Sequence, residues 1–229
     1  MAITFQGNAG VVTEVDTTHR AIRMTGRPME VGTRGAYGLG VTSGIMAAGL
    51  AGTSEIFQMR WIHATQVCIL RSITFNLAQG TTAFAAGVIE ISLTVARSWS
   101  ADGSAGTAVV MSTANTNKKR TDFALSSFSD TGIRFSATAA LGAGTKTLDT
   151  NKLATFSAFV SSAAGTAAQS TIIAPGTMLW QRNTTDEYPL LLEQNEGIVV
   201  RATVPATGTW QYSTSVEWAE VDPTAVTGW

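Results

Sequence analysis

Charge is scarce in this chain. Asp, Glu, Lys and Arg together make up 14% of 229 residues, well below the usual ~25% of a soluble domain. A free monomer generally needs charge for solubility, so a surface of small neutral residues suits a protein covered by copies of itself or by a larger assembly. The net charge is −1, and the one basic cluster, Lys118, Lys119 and Arg120, reads as a solvated loop tip. Direct nucleic-acid binding is therefore not expected, because phosphate contact needs clustered Lys and Arg. There is one cysteine, Cys68, which rules out a disulfide within the chain and a cysteine-based metal set. Lying in an apolar run, it reads as a small buried hydrophobe. No stretch of about 18 apolar residues is present, so no helical membrane span is expected. The opening MAITFQGNAG has neither the basic start nor the apolar core of a signal peptide. Folding in a reducing compartment follows as the expectation.

Chemistry-bearing motifs are equally sparse. The two histidines, His19 and His63, are not spaced as zinc ligands, and HExxH, CxxC and an EF-hand loop do not occur. No GxSxG elbow accompanies either histidine, and neither GxGxxG nor a P-loop occurs between a strand and a helix. Carboxylates that pair only in space would escape such a reading, with Asp186, Glu187, Glu193 and Glu196 as default candidates. Adjacent acids in loops usually face solvent. No catalytic residue, cofactor or metal is assigned.

What the chain has in quantity is period-two patterning. The most regular stretch is Glu196 to Val221, EGIVVRATVPATGTWQYSTSVEWAEV. Ile198, Val200, Ala202 and Val204 share one face of a first strand. Trp210, Tyr212, Thr214, Val216 and Trp218 share one face of a second. With turn residues from Pro205 to Gly208, this reads as a long β-hairpin in which Val204 faces Trp210 and Ala202 faces Tyr212. Further strands are expected at 55–63, 67–77, 88–99, 108–112, 132–138 and 153–162. Arg71 falls on the apolar side of 67–77 and calls for an edge, a partner or a bulge. Residues 171–182 read as two short strands, or one broken at Pro175-Gly176, and 188–197 leads into the final pair. A short helix is expected within 121–127, loop over 141–152, and an irregular or bulged strand in the Gly-rich 36–54.

Residues 1–35 differ from the rest. They carry Arg20, Arg23, Arg27 and Arg34, with Pro28 and several glycines breaking any sustained period. They read as an extended arm, its arginines candidates for docking on a partner, ahead of a sandwich domain at 36–229. Among the aromatics, Trp210, Trp218 and Trp229 are candidate interface anchors. Trp61, Trp99, Trp180, Trp210 and Trp218 are alternatively a sugar-binding platform. Eight to ten antiparallel strands, with no repeat of 20–50 residues, predict an all-β antiparallel β-sandwich of the jelly-roll kind.

The neutral Gly/Ala/Ser/Thr-rich composition, the opening MAITFQGNAG and the closing EGIVVRATVPATGTWQYSTSVEWAEV resemble tailed-bacteriophage virion proteins. The likeness is to small jelly-roll or sandwich proteins that sit on or beside the capsid. It implies a non-enzymatic decoration or cement protein, a homotrimer that binds the major capsid protein and bridges neighbouring subunits. Such a protein is made in the host cytoplasm and resides on the virion, with no membrane partner. The alternative from another class is a receptor- or glycan-binding module of a tail or spike.

Overall fold

The computed structural model describes residues 15–16, 21–22, 34–113, 116–160, 171–182 and 189–223. Fifteen strands occur among them and no helix: β1 (Val15–Asp16), β2 (Ala21–Ile22), β3 (Gly35–Thr42), β4 (Met46–Ala47), β5 (Glu55–Trp61), β6 (Val67–Gln79), β7 (Gly87–Ala101), β8 (Thr107–Ala108), β9 (Ile133–Phe135), β10 (Thr145–Leu148), β11 (Ala154–Val160), β12 (Thr171–Gln181), β13 (Leu190–Leu192), β14 (Glu196–Thr203) and β15 (Thr209–Val221). Within the expected arm, β1 and β2 pair antiparallel. The sandwich starts at Gly35.

Two antiparallel sheets carry the fold. One has the order β12-β6-β15-β3; in the other β7, β14 and β5 run side by side, and β11 pairs with the free side of β7. The eight long strands are β3, β5, β6, β7, β11, β12, β14 and β15. Counted in that order, the first sheet reads first, eighth, third, sixth, and the second reads second, seventh, fourth, fifth. That is the strand order of a jelly roll, two interlocked Greek keys, and the expected fold class is what the chain adopts. The short strands are additions: β13 extends along β6 and β4 along β15, while β9 and β8 widen the second sheet beyond β5, and β10 pairs with β7 next to β11.

The expected hairpin does not form. β14 pairs with β5 and β7, β15 with β3 and β6. Residues 204–208 carry the chain from one sheet to the other. The apolar faces of 198–204 and 210–218 both point inward, but from opposite walls of the sandwich. Ile198, Val200, Trp210, Tyr212, Val216 and Trp218 are all buried in one core cluster. Inside it, Tyr37 stacks on Trp218 at 5.5 Å, and Phe128 meets Trp61 edge-on at 4.8 Å and Trp218 edge-on at 5.5 Å. Offset and edge-to-face pairs of this kind add to simple area burial.

The irregularities have local causes. In the β15–β6 ladder Glu217 pairs with Ser72 and Trp218 with Leu70. Arg71 is thus the extra residue of a bulge, which lets the apolar register continue past a charged side chain. Residues 171–181 form one strand rather than two; its register shifts between Ile173 and Thr177, where Gly176 takes a φ of +76° that favours glycine. Pro175 is tolerated because β12 is an edge strand. The helix expected within 121–127 is replaced by turns. Seven residues give little helix nucleus, and the segment's polar groups bond to distant strands instead. Of 108–112 only Ala108 lies in a strand, at the end of β8, since the Met111 and Ser112 amides both donate to Asp130 Oδ1 at 2.8 Å. The loop expected over 141–152 contains β10, which pairs with β7.

Candidate functional site

The two sides of the sandwich are finished differently, and this asymmetry defines the candidate site. On one side lie the edge strands β3 and β5. The long connection between β7 and β11, residues 102–153, closes both of them. β9 pairs with β5. The Gly38 amide donates to Asn117 O at 3.0 Å and the Lys119 amide to Ala36 O at 2.9 Å, so backbone groups of β3 that would otherwise face solvent are satisfied. Covering an edge in this way removes a template for unwanted pairing.

Two buried carboxylates anchor that connection. Glu55, on the outward face of β5, is covered by it and is 2% exposed. Its Oε2 accepts from Lys146 Nζ at 2.7 Å and Gln58 Nε2 at 2.6 Å, and Arg201 Nη2 lies 3.7 Å from Oε1. Lys146 also sits 4.4 Å above the Trp99 ring. Burial lowers the lysine pKa, and the hydrogen bond and charge of Glu55 oppose the shift. Gly103 is required here: a Cβ at that position would lie 2.1 Å from Gln58 Oε1 and 2.4 Å from Gly142 O. Next to this cluster, Arg60 Nη1 pairs with Asp102 Oδ1 at 2.7 Å. The second anchor is Glu220 on β15, fully buried. It accepts from Ser126 Oγ at 2.5 Å, the Ser127 amide at 2.8 Å and Trp218 Nε1 at 3.0 Å. Each carboxylate is spent on donors of the connection or its own sheet, which is the chemistry of a latch. No group of three or more His, Cys, Asp or Glu that could hold a metal occurs among the described residues.

Among the described residues the opposite side carries no further paired strand. Among the described residues β11 pairs only with β7, and β12 only with β6. β11 alternates between half-buried and exposed residues along its whole length. Phe159 is 72% exposed and its cross-strand neighbour Val88 52%, with Leu153 and Met178 also exposed. Between β11 and β12 a narrow apolar slit lined by Phe75, Ile91, Phe156, Ile173, Thr177 and Leu179 reaches towards the core. From Leu153 to Gln181 the sequence contains no Asp, Glu, Lys, Arg or His. An open edge that is both neutral and apolar lacks the devices that normally blunt one, and large exposed apolar groups mark interaction surfaces.

The residues singled out from sequence fall elsewhere. Trp210 and Trp218 are fully buried, as are Trp61 and Trp99. That corrects their assignment as interface anchors or a sugar platform: alternation places Trp210 and Trp218 on the inner face of a central strand. Trp180 is half-buried. Arg20, Arg23, Arg27 and Trp229 lie outside the described residues, as do His19, Asp186 and Glu187. With the Gln66 amide turned so that Nε2 donates to Ser127 Oγ, Arg34 Nη2 reaches Gln66 Oε1 at 2.8 Å, an engagement within the chain. His63 Nδ1 accepts from the Thr65 amide at 3.3 Å in a turn. The Glu193 amide donates to Glu196 Oε2 at 2.9 Å, which closes a turn. The basic cluster is not a bare tip: Lys119 pairs with Glu217 and Arg120 with Asp122, each at 2.6 Å, and Lys118 Nζ donates to Phe123 O at 2.9 Å. Cys68 is buried as expected, and burial pushes its thiol pKa well up. The open edge was missed, although the uncharged run from Leu153 to Gln181 was its visible signal. No protein-family model matches the chain, and neither a curated protein nor a solved structure is detectably similar to it.

Proposed function

We propose that this chain is a non-enzymatic structural protein of a virion, one that decorates or cements the capsid by bridging neighbouring capsid subunits. The observation that carries the reading is the asymmetry of the sandwich. One pair of edges is sealed by a connection latched through Glu55 and Glu220, while the other is left neutral and apolar with Phe159 outward. A rigid body with one sticky flank is suited to assembly. Linking several modest contacts on a repetitive shell raises effective affinity by ~10²–10⁴. The low charge of the whole chain, 14%, and the jelly-roll strand order support the same reading. In it, residues 1–35 serve as a docking arm. The glycan-binding alternative rested on a tryptophan platform, and four of its five members are sealed in the molecule.

The test is co-sedimentation of the purified chain with undecorated heads of the virus that encodes it, beside a variant lacking residues 1–35. Saturable binding of the full chain and its loss in the truncated one are expected. Heads that take up none of the full chain refute the function. Heads that take up the truncated chain equally refute the arm's part in it.

A further inference from the structure

We propose that β11 is a self-association edge, at which two copies of this chain pair antiparallel about Ser157 and join their second sheets into one continuous sheet. The inference deepens the structural reading above and rests on it for its biological purpose, though not for its geometry.

The argument begins with the strand itself. β11 is seven residues long, pairs on one side only among the described residues, and alternates exposed and half-buried positions throughout. Its exposed set is Thr155, Ser157 and Phe159; its half-buried set is Ala154, Phe156, Ala158 and Val160. A two-fold axis at Ser157 places Thr155 of one copy opposite Phe159 of the other on the outer face. On the inner face it places Phe156 opposite Ala158, and Ala154 opposite Val160. Each large side chain thus meets a small one, the size complementarity that cross-strand pairs favour. The alternation also keeps apolar groups on the core side across the junction, so register is specified.

Charge selects the occupant. Leu153 to Gln181 carries no ionisable side chain, and the nearest charges, Glu90 across the ladder from Ser157 and Lys152 ahead of the strand, are paired with each other. This flank therefore meets its own copy without an unpaired charge on the pairing strand. A charged partner surface would have to give up its hydration and would find no counter-charge on the strand. A two-fold contact is also the commonest closed arrangement of like chains. Phe159, 72% exposed, lies beside Val88, 52% exposed, and on pairing gains the partner copy's Thr155 on its other side, so this apolar group is flanked from both strands.

The experiment is native mass by size exclusion with light scattering and sedimentation, on the full chain across a concentration series. The wild type is expected at twice the 24.0 kDa chain mass. F159K is expected to weaken association by roughly tenfold to a hundredfold, as for loss of an aromatic contact made twice across the two-fold. Its circular dichroism should be unchanged, and its melting temperature should match that of the wild type diluted to monomer, because the side chain is outside the core and only the association contribution is lost. T155E/F159K should restore the dimer, since the introduced carboxylate of each copy then faces the introduced ammonium of the other, and the rescue should fade at high salt. A wild type that is monomeric throughout, or trimeric, overturns the proposal. So does an F159K protein that dimerises normally, or a double variant that stays dissociated. Head binding is scored separately. A dimer that decorates nothing sinks the function alone; decoration by a chain that never pairs sinks the edge proposal alone.

Discussion

Replacing Lys146 with methionine should be among the most destabilising single changes in the molecule. The substitution removes a cation, keeps most of the side-chain volume and leaves Glu55 where it is. The Lys146 and Glu55 side chains are 3% and 2% exposed and meet at 2.7 Å. At an effective dielectric near 20, a pair at that separation of 2.7 Å attracts by ~6 kcal/mol before desolvation is counted. After the change the carboxylate keeps the Gln58 donor at 2.6 Å and the more distant Arg201 at 3.7 Å. Breaking a buried pair generally costs ~3–5 kcal/mol, and the residual partners place K146M at the low end, about 3 kcal/mol. Against a total stability of ~5–15 kcal/mol this is a large fraction. Equilibrium urea unfolding followed by tryptophan fluorescence measures it, with the slope checked for two-state behaviour. The double variant E55Q/K146M, with neither charge left to bury, should recover more than half of the loss. A cost below ~1 kcal/mol for K146M, or a double variant less stable than the single one, would refute the view of this pair as a buried latch.

Two further outcomes follow from other parts of the fold. Tyr212 reaches across the core from β15: its hydroxyl donates to Ile56 O at 2.6 Å and accepts from the Ser136 amide at 3.0 Å. Y212F should therefore cost ~1–2 kcal/mol in the same unfolding assay. Burial raises the phenol pKa, with the Ser136 hydrogen bonds opposing, so the folded state holds its proton where the unfolded chain has lost it. The contribution is complete below the ordinary tyrosine pKa near 10 and is lost as pH rises above it, and Y212F should show a shallower alkaline decline. At Asp130 the pKa is held below its ordinary value, first by the Ser112 hydroxyl and then by the Ser112 and Met111 amides. Its contribution is present above pH ~4 and lost as pH falls through the depressed value. Carboxyl chemical shifts in S112A should show Asp130 titrating nearer the usual range; an unmoved titration would refute the assigned cause.

Alternation by itself determined the inward face of most strands. In β6 it did not, since Val67 and Ile69, expected on the side of Ile73 and Phe75, pack in a separate cluster with Ala219 and Val221 while Cys68 and Leu70 face the main core ahead of the bulge. Ile89, Ile91, Leu93 and Val95 are buried as their alternation predicts, and so are Trp210, Tyr212 and Trp218. Composition and alternation were enough for the all-β class, and the apolar-side Arg71 signalled the bulge at its position. Partnership was decided only in three dimensions. Period-two patterning says which side of a strand is apolar, but the facing walls of a sandwich carry the same pattern as the two arms of a hairpin. Hence 196–221 read as a hairpin although β14 and β15 lie in opposite sheets. The tryptophans read as candidate anchors because a buried aromatic and an interface aromatic are chemically alike, and only position on a central strand separates them. Glu55 and Lys146 are far apart in the chain, so their pairing left no local mark. The open edge is the intermediate case. Its lack of charge was written in the chain from Leu153 to Gln181, but that this stretch is an edge depended on which strands β7 and β6 accept as their outermost neighbours.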